Sequence, residues 1–201
     1  MQVIEWLIHI DKKAFVFVQT HLTATWLDGI MLLLRNPYTW IPLYLYLLYW
    51  LSRQKKLNAL KFICCTLICI TITDYGSAHI LKPLFERERP CYDSETMVFV
   101  RGIAGCGGRL SFPSSHASNH FGLASLWFYS IRLLTGQKWR LLWLWALLIS
   151  FAQVYVGVHF PLDVTGGSIF GFIIGFALSK LFEYWVKPKH DVSENSSISL
   201  P

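Results

Sequence analysis

The chain has 201 residues, 54% hydrophobic and 16% aromatic but only 15% charged, with nine Trp and a mean hydropathy of +0.42. Soluble domains carry about 25% charged residues, so a secreted disulfide scaffold, a disordered regulator and an ordinary cytosolic enzyme are excluded in favour of an integral membrane protein. The net charge of +6 does not imply nucleic acid, because Lys and Arg fall in short clusters between apolar stretches rather than along one amphipathic face.

In chain order, residues 3–19 alternate apolar clusters with the charged patch Asp11-Lys12-Lys13, and Glu5 interrupts the run further. That is not a cleavable signal peptide. Residues 23–34 are apolar but short, with Asp28 inside, and both segments predict interfacial or partly inserted helices. After Pro37 come five better spanning candidates, 38–52, 57–81, 117–134, 138–158 and 162–186, against the ~20 residues a bilayer needs. Aromatic residues crowd several ends, at Trp40, Trp50, Trp139, Tyr184 and Trp185, as belts at membrane interfaces do. The expected fold is an all-α integral membrane helical bundle, with about five to six transmembrane helices and N-terminal interfacial helices. Its parts are 1–36, a core at 37–187, and a polar tail at 188–201 expected to be disordered and cytoplasmic.

Basic residues gather in the 52–61 turn, the 132–140 turn and the C-terminal end, which a five-span path puts on one side, the cytoplasm. The 83–115 loop and the 158–162 turn then face outward. In the last span Gly167, Gly171, Gly175 and Ser179 recur every four residues, a face without bulk for close packing. Of five cysteines, only Cys91 and Cys106 share a polar loop; they could pair if that loop meets an oxidising compartment.

The chemistry-bearing residues converge on the outward level. Lys82 closes one span and Arg87 and Arg89 follow; His116 and His120 open the next; His159 ends the fourth and Asp163 begins the fifth. Polar groups are costly in hydrocarbon, so this convergence predicts a functional site. Lys82 and Arg89, a point charge and a planar fork, suit a phosphate-like anion. The turn Phe112–His116 can offer backbone N–H groups and hydroxyls to the same anion. A histidine can act on phosphorus as nucleophile or proton donor, and Asp163 beside His159 would fix its tautomer.

Three segments, Lys82-Pro-Leu-Phe-Glu-Arg-Glu-Arg89-Pro90, Pro113-Ser114-Ser115-His116 and Val156-Gly157-Val158-His159-Phe160-Pro161-Leu162-Asp163, resemble the signature motifs of the type-2 phosphatidic acid phosphatase superfamily, which also contains vanadium-dependent haloperoxidases. The resemblance covers residues 37–186. It implies that His159 is a nucleophile forming a phosphohistidine, that Asp163 orients it, and that His116 protonates the leaving group and then activates water. Lys82, Arg89, Ser114 and Ser115 would bind phosphate, and no metal or cofactor is implied.

Two positions depart from the pattern: Ser115 replaces a Gly, and Ala152-Gln153 replace the usual Ser-Arg, so Gln153 offers hydrogen bonds to phosphate but no charge. Loss of such a contact can cost ~10²–10³ in rate; Arg87 and Arg109 are candidates to replace it. His120, Asp74, His79, Tyr155 and Asp28 read as structural residues. The expectation is a metal-independent lipid phosphatase at the outer face of the cytoplasmic membrane, with undecaprenyl diphosphate first among substrates and phosphatidylglycerol phosphate, phosphatidic acid and lipid A as alternatives. Lipid phosphotransfer and non-catalytic lipid-phosphate binding or transport are the competing readings.

Overall fold

A computed structural model describes residues 2–187. The expected tail at 188–201 lies outside the described residues. All named elements are helical: α1 (Gln2–His21), α2 (Thr25–Arg35), α3 (Ile41–Ser52), α4 (Lys56–Tyr75), α5 (Lys82–Phe85), α6 (Ser115–Thr135), α7 (Leu141–Tyr155) and α8 (Pro161–Val186). Among the described residues one β-bridge, Glu88 to Leu110, ties the α5–α6 loop to itself.

Among the described residues two helical stretches are long and apolar enough to cross a membrane, Lys56–Phe85 and Pro161–Val186. The first is longer than its sequence suggests because α4 runs through a π-helical turn, Gly76–Leu81, directly into α5. Pro83 lacks an N–H and its ring crowds the carbonyl four residues back, and a widened turn accommodates both. Two predicted spans are shorter than expected. Residues 37–40 form a 3₁₀ turn, leaving α3 twelve residues, about 18 Å at 1.5 Å per residue. Helix α7 stops at Tyr155, where the chain turns through Gly157 in the left-handed region (φ +82°); a Cβ there would also strike Val100.

Helix α6 is central, packed against α8, α7 and α4. The α8 glycines explain the closest of these pairings: a Cβ on Gly171 would overlap the Ser118 carbonyl, and one on Gly175 that of Gly122. Away from the polar level the core is filled by aromatic and aliphatic side chains, including Trp50, Phe62, Trp127, Trp145 and Phe182; Trp127 and Trp145 stack at 5.8 Å. The amphipathic N-terminal helices lie over the α7–α8 turn. Phe15 of α1 meets Phe160 edge-on at 5.3 Å, and Gln19 Nε2 donates to the carbonyls of Val154 (2.8 Å) and Tyr155 (3.0 Å). Asp28 of α2 accepts from the Tyr155 hydroxyl at 2.8 Å and pairs with Arg101, which gives both residues the structural role their sequence context suggested.

Candidate active site

The α7–α8 turn carries the centre of the site. Pro161, with its fixed φ, starts α8 at a position where a missing N–H costs nothing. Asp163 then folds back, and its Oδ2 accepts the Phe160 N–H at 2.8 Å. The same oxygen lies 3.5 Å from His159 Nδ1 and accepts the Ser111 hydroxyl, whose oxygen is in turn 3.2 Å from Nδ1. With Ser111 donating to Asp163, Nδ1 carries the ring proton and faces two acceptors. The tautomer that results leaves the Nε2 lone pair free. All three residues are buried.

His159 lies in the turn between helices, and burial pushes its pKa down to about 4, against the pull of Asp163. The imidazole is therefore neutral at pH 7. Asp163 is held from its other side by Arg87, whose Nη1 donates to Oδ1 at 2.8 Å and whose Nη2 reaches Asp11 Oδ2 of α1 at 2.5 Å. Asp11 Oδ1 also accepts the Leu162 N–H at 2.8 Å. Arg87 lies 4.3 Å over the Phe160 ring. It is thus spent on two carboxylates, and Arg109 pairs with Glu88; neither of these two replaces the charge absent at Gln153.

Helix α6 docks onto this centre through Ser114, whose N–H donates to the Asp163 carbonyl at 2.9 Å. The Ser114 hydroxyl oxygen caps α6 by accepting the Ala117 N–H at 3.4 Å, which leaves its own proton available. Ser115 accepts from the Ser77 hydroxyl of the π turn at 2.9 Å, tying α6 to the helix that ends in Lys82. Lys82 makes no ion pair among the described residues; the charges acting on it are Arg89, Asp163 and Asp74. Arg89 is propped by loop carbonyls, Nε on Leu110 (3.2 Å) and Nη1 on Cys106 (3.1 Å), so Nη2 has no partner among the described residues. That loop is closed by a Cys91–Cys106 disulfide. His116 is within electrostatic reach of His159 and Lys82.

Lys82, Arg89, His116, His159, Asp163, Ser114 and Ser115 therefore converge. Gln153 differs: it is fully buried, its Nε2 donates to Ile149 O of its own helix at 3.3 Å, and its Oε1 has no partner. His120 is a packing residue, with Nδ1 2.7 Å from the His116 carbonyl and its ring edge-on to Trp145 at 4.8 Å. Asp74 accepts from Asn119 at 2.9 Å, and His79 stacks on Tyr75 at 4.7 Å. Sequence reasoning missed Ser111 and Asp11. Ser111 stands two residues before Pro113 in a loop without periodicity, and Asp11 is far away in the chain; no sequence signal links either to His159.

The buried His159–Ser111–Asp163 array thus lies beside two cations, Lys82 and Arg89, that have no ion-pair partner among the described residues. Residues 58–187 match the PAP2 superfamily. The chain belongs to the PAP2 superfamily of phosphoric ester and anhydride hydrolases. Among curated relatives, a lipid A 4'-phosphatase of Porphyromonas gingivalis is 27% identical over 90% of this chain and 76% of its own. A lipid A 4'-phosphatase of Bacteroides thetaiotaomicron is 31% identical, covering 84% and 75%. An undecaprenyl-diphosphatase of Sulfolobus acidocaldarius is 31% identical, covering 84% and 77%. The crystal structure of a transmembrane PAP2-type phosphatidylglycerolphosphate phosphatase from Bacillus subtilis shares the fold, with a TM-score of 0.66 at 20% identity over 90% of this chain and 88% of that one.

Proposed function

We propose that this protein dephosphorylates a lipid phosphate at the outer face of the cytoplasmic membrane through a phosphohistidine. The observation that carries the reading is His159 Nδ1 set 3.2 Å from the Ser111 hydroxyl and 3.5 Å from Asp163 Oδ2, beside Lys82 and Arg89, which have no ion-pair partner among the described residues. Nε2 of His159 attacks phosphorus; the N–P bond forms as the P–O bond to the lipid breaks, and His116 gives its proton to the leaving oxygen. His116 then takes a proton from water, whose oxygen attacks phosphorus while the N–P bond breaks and releases phosphate. Asp163 stabilises the positive charge on the imidazole, and Arg87 behind it keeps that carboxylate ionised. Lys82, Arg89 and the Ser114 and Ser115 region bind the phosphoryl oxygens.

The outward orientation rests on two observations. Basic clusters lie in the turns at the opposite end of the bundle, and the loop that holds Arg89 carries a disulfide, which persists in an oxidising compartment. Five spans, α3, α4–α5, α6, α7 and α8, fit this arrangement, with α1 and α2 at the interface. A groove lined by the apolar Ile4, Ile8, Phe85, Phe112 and Phe160 and by the charged Lys12, Arg87, Glu88 and Asp93 offers an acyl chain a path beside the site.

For the substrate, similarity to two lipid A 4'-phosphatases over most of the chain favours a lipid A phosphate. Undecaprenyl diphosphate, favoured by the sequence, is the second reading and is supported by the archaeal relative. Competition for the purified protein between lipid A and undecaprenyl diphosphate decides: loss of the 4'-phosphate as the preferred product supports the first reading, and preferential release from the diphosphate supports the second.

A further inference from the structure

Arg35 ends α2, and the residues around it fix where it lies. Met31, with Leu27 and Leu34, packs on Ala152, Tyr155 and Val156 at the C-terminal end of α7. Five residues after Arg35, Trp40 lies edge-on to Trp145 of the same helix at 5.9 Å, its indole N–H bound to the Leu34 carbonyl at 2.8 Å. Trp145 touches His120, and His120 holds the His116 carbonyl. Residues on both sides of Arg35 thus pack on α7, whose Trp145 meets His120 one turn beyond His116.

It is half-buried there and, among the described residues, has neither an ion pair nor a side-chain hydrogen bond. Two other half-buried cations on this side are matched, Lys12 by Asp93 and Glu95 and Arg87 by Asp11 and Asp163, whereas Lys82 and Arg89, like Arg35, have no ion pair among the described residues. What faces Arg35 is positive. Burial, and then the charge of Arg89, pull its pKa below the ordinary value, and Arg35 is within electrostatic reach of His116. Like charges held together without a counterion cost free energy that an anion seated among them recovers. The polar position on α7 does not relieve this, since Gln153 carries no charge and its Nε2 donates to the Ile149 carbonyl of its own helix.

We infer that Arg35 binds the substrate phosphate together with Lys82 and Arg89, so that the N-terminal helical pair supplies the cation that Gln153 does not. This rests on the site reading proposed above. It makes α2 part of the binding site rather than an anchor alone.

The test uses the full-length protein in detergent, with orthovanadate as phosphate-like probe and the preferred lipid as substrate. Arg35→Gln is expected to melt near the wild type, to bind orthovanadate at least about tenfold more weakly and to lose ~10²–10³ in kcat/KM, whereas Arg35→Lys keeps most of both. Gln153→Arg is expected to rescue the Arg35→Gln variant but to add less than about threefold to the wild type, the non-additivity of two groups serving one anion. Folded Arg35→Gln with unchanged orthovanadate affinity overturns the inference, as does a wild type that does not bind orthovanadate. Should Arg35→Gln fail to fold, Gln153→Arg decides alone: a gain of about a hundredfold in a protein that retains Arg35 would contradict it. If the wild type hydrolyses no lipid but binds orthovanadate in an Arg35-dependent way, the hydrolase reading fails and this one stands.

Discussion

At the residue scale, the decisive feature is a histidine kept neutral by burial and oriented by two acceptors on one nitrogen. With a pKa near 4, His159 loses the lone pair that the proposed attack requires only as pH falls through that value. The acid limb of kcat/KM, which reports the free enzyme, is expected near pH 4; a limb near 6.5 would mean an exposed imidazole. Burial of the neutral ring also stabilises the fold above pH 6.5, a contribution lost as pH falls towards 4. Ser111→Ala removes the hydroxyl that joins Nδ1 to Asp163. A buried bond of this kind is worth about 1–3 kcal/mol, so kcat is expected to fall by roughly 5- to 150-fold with KM little changed. The convergence of His159, Asp163, Lys82, Arg89 and His116 was legible in the sequence because Lys82, His116 and Asp163 lie at helix ends and Arg89 and His159 in the loops that follow helices, in motifs whose order matches the topology. Ser111 and Asp11 were not, because their partners His159 and Leu162 are 48 and 151 residues away and only the folded chain brings them near.

Among elements, α1 is held to the site by charge as well as by packing. Asp11 is almost fully buried, pairs with Arg87 and accepts the Leu162 N–H at the start of α8. Removing one partner of such a pair costs about 3 kcal/mol or more. Asp11→Ala is expected to lower the melting temperature by several degrees and to depress activity through a misplaced Asp163, while Asp11→Asn, which keeps an acceptor for Leu162, falls between it and the wild type. Unchanged melting and activity in Asp11→Ala would detach α1 from the site. The sequence predicted α1 and α2 as interfacial helices from their interrupted apolar patterns, and both are helices. It placed the ends of three other elements less well. Helix α3 gives its first turn to a 3₁₀ segment, α7 yields to the turn at Gly157, and α4 gains length through the π turn ahead of Pro83. Hydropathy averages over these local backbone choices and does not register them.

For the molecule as a whole, the glycine stripe sets the distance between α6 and α8, and with it the registry of Ser114 on Asp163. Gly171→Val places its side chain against the Ser118 backbone, which cannot rotate away. Overpacking costs about 1–3 kcal/mol, so the variant is expected to melt earlier and lose activity, whereas Ile173→Val on the exposed side of α8 should do neither. The four-residue glycine period was readable because it records helix packing directly, and the all-α class was readable from composition. The central claim, a lipid phosphatase acting through His159, is tested most directly by phosphate release from a panel of lipid phosphates with EDTA present, comparing the purified wild type with His159→Ala. Release by the wild type that disappears in a folded His159→Ala variant is the expected result. Equal release by the two proteins, or none from any lipid by a folded wild type, would contradict the claim.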